Sequence, residues 1–214
     1  RGSNWNVHNN SGIGLHIQES HPEIEGIESS DNGLNGVFVY DSSNVLLVNA
    51  SSTRNGASAT EISEGVGFLY QESNTRTAST KDVTCRTCSS IDDAQGGVMA
   101  LDSIDLVLEN HSISLPVGVG PALQIDNSGI SSSGVVTING MSIYQDETSS
   151  QAVAITSSDA IINNLNLNGN HTGIIWSGSG SAGLNSYLNN SILSGQNCLL
   201  LTNHENLTIR SPDY

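Results

Sequence analysis

The chain has 214 residues, enough for one sizeable domain, and carries 21 acidic against 6 basic side chains for a formal charge of −15, with only 13% charged and 4% aromatic residues. A polyanion binder replaces counterions with lysine and arginine, so this balance excludes nucleic acid as a partner and disfavours an anionic membrane surface. No apolar run approaches the roughly 18 residues of a membrane-spanning helix, and the regular recurrence of short apolar runs argues against a disordered chain.

Taken in chain order, one short apolar strand recurs as GIGLHI (12–17), GVFVYD (36–41), GVGFLY (65–70) and GVMALD (97–102). It continues as PALQID (121–126), QAVAIT (151–156), GIIWSG (173–178) and NCLLLT (197–202). The starts are spaced by 24, 29, 32, 24, 30, 22 and 24 residues. A second strand lies between these: NVLLVNAS (44–51), IDLVLENHSI (104–113), GVVTINGMSI (134–143), AIINNLNLNG (160–169), SYLNNSILSG (186–195) and, in part, NLTIRS (206–211). Serine, asparagine, aspartate and glycine separate the runs, as turns require. No stretch holds the i, i+3, i+4 pattern of a long helix.

Two or three short strands in a repeat of 22–32 residues describe one coil of an all-β parallel solenoid. Over nearly its whole length the chain resembles the right-handed parallel β-helix, or pectin-lyase-like, superfamily. The resemblance implies a single domain over 1–214 of about eight coils, with longer lateral loops within 50–95. An antiparallel sandwich is the competing reading, and it demands tight NG or DG hairpins at about 8–12-residue intervals. DNG (31–33) and NG (139–140, 168–169) occur, but the two-strand repeat accounts for more positions.

Stacking equivalent strands makes columns. An interior set is expected at Leu15, Phe38, Met99, Leu123, Val153 and Leu199, and two residues on at Ile17, Tyr40, Leu101, Ile125, Ile155 and Leu201. The alternate set, Val37, Val66, Val98, Ala122, Ala152 and Cys198, then forms an outer apolar strip, a candidate interface with the chain's own loops, neighbouring domains or further copies. A turn column of Asp41, Asp102, Asp126, Thr156 and Thr202 reads as capping of backbone donors, with Asp102 and Asp126 as calcium candidates if they stack one coil apart. Asparagines 49, 110, 139, 163 and 190 fall near one bend, to within a residue. Parallel β-helices stack asparagines into amide ladders, and the residue tolerates left-handed backbone.

Lyases of this superfamily pair calcium-bound uronate with an arginine or lysine, and its hydrolases use clustered aspartates. Here Arg54, Arg76, Lys81, Arg86, Asp92 and Asp93 are the glycan-site candidates, gathered in the longest repeats. The N-T-D, G-H-G and R-I-K segments of polygalacturonase-like enzymes are missing. No catalytic residue is therefore assigned, and no cofactor beyond the calcium option. Cys85 and Cys88, in VTCRTCSS, are candidates for a disulfide across a bend; an extended strand would hold them roughly 10 Å apart, too far to bond. No second C-x-x-C or close histidine pair completes a zinc tetrad.

These features lead us to expect a secreted or cell-surface protein, of which this chain is a part, and a non-catalytic structural or adhesive role. A polysaccharide lyase or hydrolase and a self-assembling fibre or sheath subunit are the alternatives. Glycans and further protein copies are the expected partners.

Overall fold

The computed structural model describes residues 2–61, 63–72, 83–102, 105–115, 120–128, 135–146, 151–169, 171–178, 186–193, 197–202 and 207–210. Among them it is all-β, with every strand pairing parallel and no helix. Numbered along the chain, one sheet contains β2 (Leu15–Gln18), β4 (Val37–Tyr40), β7 (Val66–Gln71), β10 (Gly96–Leu101), β12 (Leu123–Asp126), β14 (Gln151–Thr156), β16 (Thr172–Ser177) and β18 (Asn197–Thr202). The other contains β1 (Gly2–His8), β3 (Glu23–Ser30), β5 (Val45–Val48), β6 (Ser51–Thr53), β8 (Val83–Arg86), β9 (Ser89–Ile91) and β11 (Leu106–Leu115). It continues with β13 (Val136–Gln145), β15 (Ala160–Asn168), β17 (Ser186–Asn189) and β19 (Leu207–Arg210).

In the first sheet each strand pairs with the equivalent strand of the next repeat. The second sheet bends. The first half of β3 pairs with β5 and its second half with β6, while β11 splits its pairing between β8 and β9 in the same way. The register sets one residue of each layer at the bend: Asn4, Gly26, Asn49, Thr87, Asn110, Gly140, Asn164 and Asn190, all with φ between 48° and 71°. A left-handed residue turns the chain without ending the ladder, and asparagine and glycine are the residues that tolerate it. Thr87 is the exception in this column.

The expected asparagine column therefore resolves into two. Asn49, Asn110 and Asn190 shape the backbone of the bend. One residue earlier, Asn139, Asn163 and Asn189 bond through their side chains: Asn163 Nδ2 donates to Asn139 Oδ1 and Asn189 Nδ2 to Asn163 Oδ1, both at 2.8 Å.

A second amide ladder, wholly buried for most of its length, runs through the narrow side of the interior. Asn32 Oδ1 accepts from the backbone and side-chain nitrogens of Asn10, Asn55 Oδ1 from those of Asn32, and Asp93 Oδ1 from those of Asn55. The buried hydroxyls of Ser29, Ser52 and Ser90 line it.

One continuous core joins the two sheets. It corrects the expected facing of the first sheet in three strands. Val37, Val39, Phe68, Tyr70, Val98 and Ala100 point inward, in register with Leu15, Ile17, Leu123 and Ile125, whereas Phe38, Leu69, Met99 and Leu101 lie on the other face. Ala122 and Ala152 are also core residues, so of the expected outer strip only Val66 belongs to the outer cluster, and Cys198 is exposed. In these strands both alternate sets are apolar, and hydrophobicity alone leaves the face undecided. Gly14 and Gly36 back onto the serine column, where a Cβ would collide with the hydroxyl of Ser29 or Ser52.

Candidate functional site

Cys85, Cys88 and His111 form the one cluster of metal-ligating type among the described residues: one donor atom from each lies within 4.8 Å of the others, and all three are buried. Local backbone brings them together. β8 runs Val83-Thr-Cys-Arg, and the left-handed turn at Thr87 swings Cys88 back to the same side as Cys85. Their Cα atoms come to 6.1 Å, against roughly 10 Å in an extended strand, and the two form a disulfide. β11 stacks on β8 and β9 with Leu108 beside Cys85 and Ser112 beside Ser89, so His111 sits directly over Cys88.

His111 is 1% exposed, with the Phe68 ring edge-on at 5.2 Å. Neither Nδ1 nor Nε2 has a hydrogen-bond partner. Burial alone pushes the imidazole down to about 3, so it is neutral at any ordinary pH and offers an unprotonated nitrogen. The two sulfurs beside it are bonded to each other and present no thiolate while the disulfide stands. The register also places the buried thioether residue Met141 next to His111 in the following layer.

The other candidates are distributed rather than convergent. Arg54 is bound in a two-point pair to Asp31 of the preceding layer, Nε to Oδ1 and Nη2 to Oδ2 at 2.8 Å each, and both groups are exposed. Its guanidinium holds the Asp31 carboxyl below the usual carboxylate range. Asp92 follows Arg54 in the same left-handed column, so Asp31, Arg54 and Asp92 alternate in charge along the stack. Arg86 pairs with Glu109 of the next layer at 2.6 Å, at the other bend. Asp93 is buried, and its carboxylate accepts from the Asn55 backbone, the Asn55 amide, Ser52 and Ser90. Burial pushes its pKa up, and the Ser90, Asn55 and Ser52 donors oppose that without overcoming it. Arg76 and Lys81 lie outside the described residues.

Asp102 and Asp126 do not stack in register. Asp126 pairs with Leu101, and Asp102 meets Asn127, whose amide donates to the Asp102 carboxylate. Burial first, and then the Asp102 charge, raise the Asp126 pKa.

Sequence reasoning paired Cys85 with Cys88 and missed His111. The signal was a residue-by-residue overlay of VTCRTCSS (83–90) on LVLENHSI (106–113), which puts Cys88 on His111. Comparison of the chain with family models, with curated proteins and with solved structures finds no match.

Proposed function

We propose that the chain is a right-handed parallel β-helix of the pectin-lyase-like kind and serves outside the cell as a rigid, non-catalytic structural or adhesive module. One observation carries this reading: among the described residues, the amide ladders, Asp93, Arg54 and Arg86 direct their side-chain bonds along the stack. Asn32 and Asn55 bond to the layers before and after them, Asp93 bonds to the layer before it, and Arg54 and Arg86 pair with acids one layer away. A polysaccharide-cleaving site needs the reverse, with acids and a base converging sideways on one sugar. Axial bonding instead couples each layer to its neighbours, which is the property a stiff spacer requires.

The test is incubation of the purified chain with polygalacturonate and related acidic glycans, with and without calcium. Neither new reducing ends nor unsaturated uronate is expected. Turnover that disappears in D92N or R86A would overturn the reading in favour of an enzyme.

A further inference from the structure

We propose that Cys85, Cys88 and His111, once the disulfide is opened, form a buried site for a thiophilic divalent ion of the zinc class. Three observations converge. The donor atoms already lie within 4.8 Å of one another, and the donors of a tetrahedral zinc–sulfur–nitrogen site are roughly 3.5–3.8 Å apart. Opening the S–S bond frees the two sulfurs to separate toward that distance. The imidazole is 1% exposed with both nitrogens unpartnered, an arrangement that costs the fold unless something takes up a lone pair. A bound cation is such a partner, and it accounts for a histidine in a column whose other buried members are Ile27, Ala50, Cys88, Met141 and Leu165.

Charge selects the ion. Two thiolates, a neutral imidazole and a divalent cation sum to zero, whereas a monovalent ion would leave an uncompensated negative charge in a dry core. Softness points the same way, since thiolate and imidazole suit zinc and calcium prefers oxygen. The strand neighbour Met141 is the soft donor next in line for the fourth position. The thiol state also fits the surroundings: Cys88 Sγ has carbonyl acceptors at Arg86 O, 3.6 Å away, and Leu47 O, 3.9 Å away.

The chemistry balances with a phosphine as reductant. The phosphine attacks one sulfur and the S–S bond breaks. Water then delivers oxygen to phosphorus and protons to the two sulfurs, giving a phosphine oxide and two thiols. Zinc binding forms two Zn–S bonds and one Zn–N bond and releases the two thiol protons to solvent. Oxidation to the disulfide removes both thiolates, so metal and disulfide are alternative cross-links at one place.

Because the site is buried, the full chain, carrying C198S to remove the exposed free thiol, is unfolded and refolded with phosphine and zinc chloride. The control omits phosphine. Metal content after gel filtration, cobalt(II) absorption and the melting temperature are then read. We expect one zinc per chain in the reduced protein, none in the oxidised one, thiolate-to-cobalt charge transfer, and a zinc-dependent rise in melting temperature. H111L, which fills the same buried volume, should keep the circular dichroism of the parent. It should weaken binding by more than the roughly 10–100-fold that loss of a supporting hydrogen bond costs. If H111L fails to fold, C88A is used in its place with the same expectation. Reduced protein that holds no more zinc than C88A, or H111L that binds as tightly as the parent, would overturn the site. Uptake of copper(I) without zinc would overturn the choice of ion.

Discussion

The two amide ladders compare the same residue type in two settings. From Asn32 to Asp93 the ladder lies inside, against buried serines and facing glycines. From Asn139 to Asn189 it lies half-buried on the outside of the bend, and the interior beside it is aliphatic. One column makes the change visible: Ser29, Ser52 and Ser90 give way to Ile113, Ile143 and Leu167 at equivalent positions. In the early layers the narrow side of the core is held by directional bonds that tolerate no loss. In the later layers apolar burial holds it, and the amides are an addition. The cysteine–histidine cluster stands at the switch between the two regimes.

Breaking each ladder tests this. N55A should show the largest effect, because Asn55 donates to Ser29 O, Ser52 Oγ and Asp93 Oδ1 and accepts twice from Asn32. Leaving those buried partners unmet should cost about 3 kcal/mol or more in urea unfolding. Asp93 sharpens the comparison through pH. Its folded pKa is raised, so the fold binds this proton more tightly than the unfolded chain does. The stability it contributes is complete below the unfolded carboxylate value near roughly 3.9 and is lost as pH rises through the raised folded value. D93N copies the amide–serine pattern of Asn32 and Asn55. It should therefore be more stable than the parent at neutral pH and equal to it near pH 4, as read from melting temperature against pH.

T87N places asparagine in the bend column where threonine holds φ at 55°. A β-branched residue is strained there, and the exchange should stabilise by about 1 kcal/mol under oxidising conditions. The smallest effect is expected from N163A, whose side-chain bonds to Asn139 and Asn189 are half-exposed; about 0.5–1 kcal/mol should be lost. A cost for N163A equal to that of N55A would remove the distinction between the two ladders.

Much of this was legible in the chain. Eight recurrences of one apolar strand, interleaved with a second, point to parallel stacking, because no helix pattern competes and the NG and DNG hairpin signals account for fewer of those positions. The asparagines of the bend, Asn49, Asn110 and Asn190, were legible for a local reason: left-handed φ is a property of one residue. The facing of β4, β7 and β10 was not legible, since Val37 and Phe38, or Val98 and Met99, are equally apolar. Asp93 was open too; as one half of an Asp-Asp pair it looks like surface, and only the layers below it show that its carboxylate ends a buried ladder.

What the sequence by itself determined is the repeat, the strand pairs and the bends, because each rests on periods and spacings within about one repeat of chain; Cys85–Cys88 was a candidate that the left-handed turn at Thr87 closed. What only the tertiary structure decided is which side chains share a column. A one-residue difference in register moves a residue to the opposite face. That difference separates the asparagines that turn the backbone from those that bond along the stack, and it sets His111 over Cys88.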